Sequence, residues 1–496
     1  MTPQPCMRLA ELLRGFADPG AAGDCQISGL QLDSRQIVPG VAFVALAGAS
    51  THGLKHAGEA VRRGAVAILA EPGGSAAPQV DGVPLIEVAN LREHLGALAA
   101  RFHGDPSAAL SVIGVTGTNG KTSTVQLLAQ ALAHTGRRAA SIGTLGAGLH
   151  GELVAGERTT PDALSLQQLL ADFRAAGASH VAMEVSSHAL VQGRVNAVHF
   201  SLAVFTNLSR DHLDYHGSME AYAAAKQRLF DWPGLAAAII NSDDAFGHGL
   251  ARQLAQRQAP ALLRYGIERT DAEVVATAVE AGAAGLAFQL RTPWGEGPVE
   301  SALLGRFNVS NLLAVAACLG QLGLGIDATR AALAALQPVA GRMSRLGGTP
   351  GQPLVVVDYA HTPDALEQAL KTLRAHCTGQ LVCVFGCGGE RDAGKRPQMG
   401  AIAEGLADRI IVTDDNPRGE DGSAIVAQVV AGLARPAAAL IERDRAGAIA
   451  LAIAAAQPGD IVLIAGKGHE PYQEIAGRRQ PFDDLAVARR VLELRR

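Results

Sequence analysis

The chain has 496 residues, of which 48% are hydrophobic and 18% charged, with 57 glycines and a formal net charge of −4. This composition is typical of a folded α/β protein and excludes a disordered chain, and the length predicts about two to four domains. The slightly negative charge gives no reason to expect nucleic acid as a partner. Neither a secretory signal nor a membrane span is visible, so we expect a cytoplasmic protein.

Six cysteines are scattered along the chain: Cys6, Cys25, Cys318, Cys377, Cys383 and Cys387. The last two have a spacing that would suit a metal pair, but no second pair follows at a suitable distance. We therefore interpret the cysteines as reduced structural residues in a reducing compartment.

Residues 1–88 are predicted to form a small N-terminal α/β domain. They contain two short apolar runs, Val41 to Leu46 and Ala65 to Ala70, with glycine turns between them. The pattern from Leu91 to His103 predicts a helix, which opens a central domain over residues 89–338.

The most informative segment is Thr116-Gly117-Thr118-Asn119-Gly120-Lys121-Thr122. It lies between a predicted strand, Val112 to Val115, and a predicted helix, Ser123 to His134. A glycine-rich turn in this position can bind a phosphate through backbone N–H groups and the helix N-terminus. Lys121 would contact the β- and γ-phosphates of ATP, and the Thr122 hydroxyl would bind Mg²⁺. The glycines depart from the generic phosphate-loop spacing, so the alternative is a Gly- and Thr-rich loop without a ligand.

Two candidate metal ligands follow this loop. Glu184 ends the predicted strand His180 to Val185, where an acid can bind Mg²⁺ directly or through water. The alternative is an ordinary surface glutamate. His212 follows the predicted strand Leu202 to Thr206 and is either a ligand of a second metal ion or a solvated side chain.

Lys226 lies in the predicted helix Glu220 to Phe230, and the sequence alone favours an exposed helix lysine. A lysine that is held near a metal ion and desolvated can lose its proton. It can then react with CO₂ to form a carbamate, which is an oxygen ligand for Mg²⁺.

Residues 260 to 300 predict short strands, and Val309 to Leu322 predicts a helix. Asn308 precedes this helix, so it either hydrogen-bonds an adenine edge or caps the helix. From Gly341 onward a strand, a polar or glycine-rich loop and a helix recur, with strands at Leu354–Val357, Leu381–Phe385, Arg409–Val412 and Ile461–Ile464. This alternation predicts a parallel, Rossmann-like domain over residues 339–496, whose ligands bind at the carboxyl ends of the strands.

Three loops at those strand ends are rich in charge. They contain Arg391, the segment Asp414-Asp415-Asn416-Pro417-Arg418, and the segment Gly466-Lys467-Gly468-His469-Glu470. Guanidinium groups bind carboxylates in a bidentate manner, and carboxylates accept hydrogen bonds from an ammonium. The mixture predicts a site for a zwitterionic small molecule, and the alternative is a set of surface salt bridges.

In this order the motifs resemble the muramyl ligases of bacterial cell-wall synthesis, over nearly the whole chain. The matching segments are residues 116–122 (TGTNGKT), 183–188 (MEVSSH), 206–216 (TNLSRDHLDYH), 225–226 (AK), 308–311 (NVSN), 341–343 (GRM) and 358–363 (DYAHTP). The resemblance implies three domains: a small UDP-sugar-binding α/β domain, a central P-loop-type ATPase-like domain with a parallel sheet, and a C-terminal Rossmann-like domain that binds an amino acid. The segment Asp415-Asn416-Pro417-Arg418 is similar to the members that add diaminopimelate, since lysine-adding members have a different residue at 418.

The resemblance also implies a reaction. The γ-carboxylate of D-glutamate in UDP-N-acetylmuramoyl-L-alanyl-D-glutamate attacks the γ-phosphate of ATP, and ADP leaves. The amine of meso-2,6-diaminopimelate then attacks the acyl phosphate, and phosphate departs. This family uses no protein nucleophile, so catalysis is expected to consist of positioning and charge neutralisation.

The resemblance assigns residues to each ligand. ATP would contact Gly117, Thr118, Asn119, Gly120, Lys121, Thr122, Ser123, Asn308, Arg342 and Asp358. One Mg²⁺ would bind Thr122 and Glu184, and a second would bind His212 and carbamylated Lys226. The implied catalytic residues are Lys121, Glu184, His212 and Lys226. The UDP-sugar peptide would contact Leu32, Ser34, Thr159, Thr160, Ser186, Gln192 and Arg194. Diaminopimelate would contact Arg391, Asp415, Asn416, Pro417, Arg418, Gly466 and Glu470. His361 would lie near the phosphates without an assigned role, and we expect a monomer.

Three residues depart from the family pattern. Arg158 replaces a frequent Asn, Ser344 replaces a usual Glu, and His52 stands where Asp is common. Three other functions compete with this interpretation: a folylpolyglutamate synthetase-like ligase, a lysine-adding member of the family, and an ATP-binding regulatory or scaffold protein without turnover. The N-terminal region and the Asp-Asn-Pro-Arg segment argue against the first. Intact Lys121, Glu184, His212 and Lys226 argue against the last.

Overall fold

The computed structural model describes residues 6–48, 51–73, 82–156, 158–282, 284–349 and 351–495. The chain forms two compact units, Met1–Tyr265 and Gly266–Arg496, and each is described here by itself.

The first unit alternates strands and helices. Its strands are β1 (Met7–Arg8), β2 (Gln26–Ile27), β3 (Gly29–Gln31), β4 (Val41–Ala45), β5 (Ala67–Ala70), β6 (Leu85–Glu87), β7 (Ser111–Thr116), β8 (Ala139–Gly143), β9 (Gly146–Leu149), β10 (His180–Glu184), β11 (Phe200–Phe205), β12 (Ala237–Asn241) and β13 (Ala261–Gly266). Its helices are α1 (Leu9–Leu12), α2 (Ala57–Arg62), α3 (Leu91–Phe102), α4 (Lys121–His134), α5 (Ala163–Ala175), α6 (Ser187–Val191), α7 (Leu213–His216), α8 (Met219–Gln227) and α9 (Ala245–Leu254).

The larger sheet of this unit has the order β13-β12-β11-β7-β10-β8-β9. Its pairs are parallel except for the hairpin of β8 and β9. Strand β7 lies between β10 and β11, with Glu184 paired to Val115 and Phe205 paired to Thr116. The carboxyl ends of these three strands therefore lie side by side, which is where parallel sheets bind ligands.

A smaller parallel sheet, β3-β4-β5-β6, forms the N-terminal part. Strand β4 is buried along its whole length because apolar residues pack against both of its faces. One of these cores includes the apolar face of α3, from Leu91 to Phe102. The predicted small α/β fold of this region is confirmed.

Gly96 in α3 packs directly against the loop that follows α6. A Cβ atom at this position would overlap the backbone carbonyl of Asn196 and lie 2.8 Å from its carbon. We expect Gly96→Ala to lower the free energy of unfolding by about 1–3 kcal/mol, because the backbone must move to relieve the overlap. The urea midpoint measures this change. Gly58→Ala in α2 is the matched control, since the nearest atom to its Cβ is the flexible end of Arg62 at 3.5 Å. Equal midpoints for the two variants would contradict the packing argument.

The second unit begins with three strands that pair antiparallel with one another, β14 (Val274–Gly282), β15 (Gly285–Thr292) and β16 (Gly295–Ser301). Its other strands are β17 (Ser344–Gly347), β18 (Leu354–Asp358), β19 (Leu381–Phe385), β20 (Arg409–Val412), β21 (Leu440–Ile441), β22 (Ile461–Ala465), β23 (Tyr472–Ile475) and β24 (Arg478–Pro481). Its helices are α10 (Arg306–Gln321), α11 (Ile326–Ala335), α12 (Pro363–Arg374), α13 (Lys395–Leu406), α14 (Gly422–Val430), α15 (Arg445–Ala455) and α16 (Asp484–Leu494).

The C-terminal sheet has the order β17-β18-β22-β19-β20-β21 and is parallel except for β17. Apolar helix faces cover both sides of it, as expected for a doubly wound sheet. The predicted Rossmann-like architecture is confirmed, and the four predicted strands are β18, β19, β20 and β22. Across the described residues, no helix is both long and apolar enough to cross a membrane.

Candidate functional site

The predicted phosphate loop joins β7 to α4. Gly117 and Gly120 have φ angles of 147° and 83°, which favour glycine. A Cβ atom at Gly117 would overlap the Thr206 hydroxyl, which instead donates a 2.6 Å hydrogen bond to the Asn119 carbonyl. Asn119 N–H donates to the Asn207 side chain at 2.9 Å. The loop is therefore fixed by the end of β11, with its backbone at the N-terminus of a 14-residue helix.

Two lysines converge on this loop. Lys121 Nζ donates to the carbonyls of Gly117 and Thr118 at 2.9 and 2.8 Å. Lys226 Nζ donates to the same Gly117 carbonyl at 2.7 Å and is 1% exposed. The interpretation of Lys226 as an exposed helix lysine is therefore wrong. Sequence pattern gave no sign of this, because the burial of Lys226 comes from long-range packing of α8 against the loop.

The environment of Lys226 favours a neutral amine. Burial, followed by the charge of Lys121, lowers the pKa of Lys226 to about 6, and Asp211 acts in the opposite direction. The ring of Tyr222 lies 4.2 Å from Lys226 Nζ, and its hydroxyl lies 3.3 Å from Thr118 Oγ1. Sequence reasoning missed Tyr222, although it lies four residues before Lys226, one helical turn away on the same face.

His212 lies in an aromatic cluster beside the loop. Its ring centroid is 4.9 Å from that of His188 and 6.1 Å from that of Tyr222, and its Nε2 is 3.4 Å from Asp211. The side chain is 48% exposed. His216 also packs against Tyr222, with ring centroids 5.1 Å apart. The cluster brings His212 to the same loop region as Lys226, although His212 immediately precedes α7 and Lys226 lies in α8.

Glu184 is buried at the carboxyl end of β10. Its carboxylate accepts hydrogen bonds from the Thr144 N–H at 2.7 Å and the Thr144 hydroxyl at 3.3 Å, and the residue is 1% exposed. The surface-glutamate alternative is therefore wrong.

The residues around the loop fit a Mg²⁺ ion that also binds phosphate. Glu184 supplies a buried carboxylate and Thr122 a buried hydroxyl, and Thr116 Oγ1 is buried with no hydrogen-bond partner among the described residues. Mg²⁺ prefers oxygen ligands and is usually bound by one or two carboxylates plus substrate phosphates. No group of three or more His, Cys, Asp or Glu residues that could hold a metal occurs in the described part of the chain. This donor set fits a site completed by phosphate oxygens better than an all-protein cage.

Five of the seven predicted UDP-sugar-peptide residues form one hydrogen-bonded network around Glu184. The Thr160 hydroxyl donates to the Glu184 carbonyl at 2.9 Å and accepts from the Ser186 N–H at 3.1 Å. The Thr160 backbone carbonyl accepts a hydrogen bond from Arg194 Nη1 at 2.9 Å. The remaining links are Arg194 Nε to Gln192 Oε1 at 2.9 Å and Thr159 Oγ1 to Thr144 Oγ1 at 3.1 Å.

The other two predicted residues, Leu32 and Ser34, line a cavity of about 910 Å³. The same cavity is lined by Gly143 and Arg158, so it joins the N-terminal sheet to the end of β8. The Ser34 hydroxyl donates to Glu59 at 2.7 Å, and this bond is the main cause of the lowered pKa of Glu59.

The structure explains two of the three departures from the family pattern. His52 Nδ1 accepts from the Leu54 N–H at 3.1 Å, as an aspartate cap would, while Nε2 contacts the Glu71 carbonyl at 3.0 Å. The buried Ser344 hydroxyl accepts from the Gly341 N–H at 3.0 Å and donates to the Val339 carbonyl at 3.1 Å. Both residues therefore complete local turns. Nothing in the structure explains why Arg158 replaces Asn.

Three nucleotide candidates lie in the second unit. Asn308 is in the first turn of α10, whose N-cap is Gly305, so the alternative in which Asn308 caps this helix is wrong. Its side chain donates to the Leu304 carbonyl at 2.8 Å and accepts from Asn311 at 2.9 Å. The half-buried carboxylate of Asp358 accepts from the N–H groups of Met343 and Ala360 at 2.8 and 2.9 Å.

Arg342 is the third of these candidates, and it lies beside Asp358. Its guanidinium carbon is 5.6 Å from the centre of the Tyr359 ring. Burial raises the pKa of Asp358, and the charge of Arg342 is among the influences that oppose this shift. The structure thus brings Arg342 and Asp358 together.

Three loops at the carboxyl ends of β19, β20 and β22 form what we call the C-terminal loop cluster, residues 386–394, 413–421 and 466–471. Gly388 lies beside two arginine side chains: a Cβ built on it would be 3.0 Å from Arg418 Nη1 and 3.7 Å from Arg391 Cγ. Arg418 Nη1 donates to the Gly389 carbonyl at 2.7 Å. Among the described residues, the Arg418 guanidinium makes this one hydrogen bond. Its other N–H groups are therefore available to a ligand.

The same cluster contains two carboxylates. Asp415 is 6% exposed, and its carboxylate accepts no hydrogen bond within the described part of the chain. Burial raises its pKa, while Arg445 and Lys467 oppose this shift. A Cβ at Gly466 would lie 2.5 Å from Asp415 Oδ2, so glycine is required there. Glu470 Oε2 accepts from Asn416 at 2.8 Å.

Lys467, to which sequence reasoning assigned no role, is 0% exposed and links Asn416 to Glu470. Its Nζ donates to Asn416 Oδ1 at 3.0 Å and to Glu470 Oε2 at 3.1 Å. The surface-salt-bridge alternative is wrong for this part of the cluster, because Asp415, Asn416 and Lys467 are buried. Pro417 contacts Gly389 in the neighbouring loop.

A strand, a glycine loop with a lysine, and a helix define a protein that binds nucleotide phosphates. Comparisons with known families agree. Residues 26–103 match the model "Mur ligase family, catalytic domain", residues 115–319 match "Mur ligase middle domain", and residues 341–468 match "Mur ligase, glutamate ligase domain".

Two relatives named UDP-N-acetylmuramoyl-L-alanyl-D-glutamate–2,6-diaminopimelate ligase are similar over nearly the whole chain. The relative from Xanthomonas oryzae is 57% identical over 98% of this chain and 97% of its own length. The relative from Pseudomonas aeruginosa is 52% identical over 96% of both chains. The chain therefore belongs to the Mur ligase family.

Solved structures agree with this architecture. A structure of UDP-N-acetylmuramoyl-L-alanyl-D-glutamate–2,6-diaminopimelate ligase is 38% identical, with a TM-score of 0.77 over 99% of both chains. Mycobacterium tuberculosis folylpolyglutamate synthase complexed with ADP is 20% identical, with a TM-score of 0.59 over 75% of this chain. At that identity the second likeness concerns the fold alone. The three-domain α/β architecture is thus shared with the family.

Proposed function

We propose that this protein is an ATP-dependent ligase that adds meso-2,6-diaminopimelate to UDP-N-acetylmuramoyl-L-alanyl-D-glutamate. The observation that supports this most strongly is the C-terminal loop cluster, whose neighbouring loops carry both the guanidinium groups of Arg391 and Arg418 and the carboxylates of Asp415 and Glu470. A diamino acid with two carboxylates needs both kinds of partner. The relatives that share 52–57% of the sequence have this activity in their names.

The first half-reaction takes place at the phosphate loop. The N–H groups of residues 117–123, with Lys121, hold the triphosphate and neutralise charge on the transferred phosphoryl group. The γ-carboxylate of D-glutamate attacks that group, and ADP leaves. The Thr160 network, which includes Ser186, Gln192 and Arg194, positions the glutamyl end of the substrate next to Glu184. Leu32 and Ser34 line the cavity for the UDP-sugar.

Mg²⁺ would be held by Thr122 and Glu184, with a second ion at His212 and Lys226. It supplies charge neutralisation and orientation of the phosphate oxygens. A neutral Lys226 amine can add to CO₂ and lose a proton to solvent, and the resulting carbamate would supply an oxygen ligand that lysine itself lacks. The support for this is the buried Nζ beside the phosphate loop. The nucleotide would contact Arg342, Asp358 and Asn308. To do so, Asn308 would have to break its present hydrogen bonds with Leu304 and Asn311.

The second half-reaction requires the amine of diaminopimelate to reach the acyl phosphate. Asp415 and Glu470 accept hydrogen bonds from an ammonium, while Arg391 and Arg418 bind carboxylates. Asn416 and Gly466 complete the site, the first through its hydrogen bond to Glu470. We further propose domain boundaries at 88/89 and 338/339, so that each domain binds one substrate.

Amino-acid-dependent phosphate release tests the proposal. The enzyme is given ATP, Mg²⁺ and UDP-N-acetylmuramoyl-L-alanyl-D-glutamate, together with meso-diaminopimelate, L-lysine or no amino acid. We expect release with diaminopimelate and little with lysine. Release with lysine alone would point to the lysine-adding activity, and release with a folate and glutamate would point to a folylpolyglutamate synthetase-like ligase. Nucleotide binding without any release would point to a protein without turnover.

A further inference from the structure

A buried guanidinium, that of Arg396, pairs with the partly exposed carboxylate of Glu420 beside the loops that contain Arg391 and Arg418. Arg396, in the first turn of α13, is 1% exposed. It donates to Glu420 in a bidentate manner, from Nη1 to Oε2 at 2.9 Å and from Nη2 to Oε1 at 3.1 Å. Such pairs fix geometry as well as charge.

The pair joins two loops of the C-terminal loop cluster. Arg396 Nη2 also donates to the Gly388 carbonyl at 3.1 Å, in the loop that precedes α13. Arg396 Nη1 also donates to Gln428 at 2.8 Å, in α14. Glu420 Oε1 in turn accepts from the N–H of Glu390. Arg396 and Glu420 therefore tie the loop after β19 to the loop after β20.

Each of these loops contains a residue in an unfavourable backbone conformation. Glu390, next to Arg391, has a φ angle of 53°, and Arg418 has the same value. Non-glycine residues in this region persist only when the surrounding structure holds them. The N–H of Glu390 is held by Glu420, and the Arg418 side chain is held by the Gly389 carbonyl, in the loop that Arg396 contacts.

We propose that Arg396 and Glu420 are positioning residues that set the separation of Arg391 and Arg418, and thereby the selection of an amino acid with two carboxylates. This inference rests on the proposed function and names the device that makes its amino-acid site selective. Neither residue contacts the substrate; both act through the two loops. A shift of about 1 Å in a positioning group can change a rate by about 100-fold.

Two conservative variants test this. Arg396→Lys keeps the positive charge but cannot donate two parallel hydrogen bonds to Glu420. Glu420→Gln keeps the shape of the side chain but loses its charge. We expect each to raise the KM for diaminopimelate at least about tenfold and to reduce the preference for diaminopimelate over lysine by a similar factor. The KM values for ATP and the UDP-sugar peptide should stay within about twofold of wild type, because the phosphate loop is untouched.

Leu370→Ala in α12 is the control for simple destabilisation, since Leu370 is 0% exposed in the apolar core of the same unit. It should lower the Tm without changing the preference for diaminopimelate. Unchanged KM and preference in Glu420→Gln and Arg396→Lys, or an equal change in Leu370→Ala, would overturn the inference while the proposed function stands. A wild-type protein that does not use diaminopimelate would overturn both.

Discussion

Replacing Arg418 with alanine should reduce kcat/KM for diaminopimelate at least about 100-fold. The guanidinium makes one hydrogen bond to the protein, at 2.7 Å to the Gly389 carbonyl, and its other donors face no partner within the described residues. A carboxylate of diaminopimelate is the partner that we propose, and truncating one member of a buried charge pair costs about 2–5 kcal/mol. The measurement is phosphate release at varied diaminopimelate concentrations.

The same variant should lose selectivity. A site built around a polar pair can reject an analogue that lacks one partner by about 10⁴-fold, and lysine lacks the second carboxylate. Arg418→Ala should therefore use the two amino acids at comparable low rates. The control is Arg435→Ala, since Arg435 is 76% exposed at its salt bridge with Glu404, outside the C-terminal loop cluster. Normal diaminopimelate kinetics in Arg418→Ala would show that this assignment is wrong.

Replacing Lys226 with alanine should lower kcat at least about 100-fold with little change in the KM for diaminopimelate. The residue contacts the phosphate loop and lies in the first unit, so its loss removes the ligand that we propose for the second Mg²⁺ beside the transferred phosphoryl group. Its pKa of about 6 leaves the amine mostly neutral at pH 7 and above, the form that reacts with CO₂. Activity of the wild type should fall when CO₂ is removed and return when bicarbonate is added.

The control is Lys226→Arg, which has a long side chain with a permanent positive charge and cannot form a lysine carbamate. With ¹³C-labelled bicarbonate, the wild type should show a carbamate carbonyl signal by NMR, and Lys226→Arg should not. Activity that is independent of CO₂, together with the absence of that signal, would rule out the carbamate and leave Lys226 as an unmodified amine at the loop.

The fold was predictable because its signals are local. Strand–loop–helix alternation predicted β7 followed by α4 and the four parallel strands of the C-terminal sheet. The phosphate loop was predictable for the same reason, since its glycines, lysine and threonine follow one another in the chain.

The parts of the site that depend on long-range packing were harder to predict from the sequence. Lys226 has the pattern of a surface helix residue, yet it is 1% exposed, because α8 packs against a loop about 100 residues earlier in the sequence. Lys467 and Arg396 look like loop and helix cations, and their burial arises from contacts with segments far away in sequence. The sequence predicts that α10 begins near Val309, with Asn308 just before it. The helix begins at Arg306, so Asn308 lies within its first turn.

The central claim is that ATP activates a substrate carboxylate for attack by diaminopimelate. The most direct measurement follows oxygen. UDP-N-acetylmuramoyl-L-alanyl-D-glutamate labelled with ¹⁸O in its γ-carboxylate is incubated with the protein, ATP, Mg²⁺ and diaminopimelate. The account predicts one ¹⁸O atom in each inorganic phosphate released, along with ADP and the diaminopimelate-containing product. Product formed together with unlabelled phosphate would contradict it.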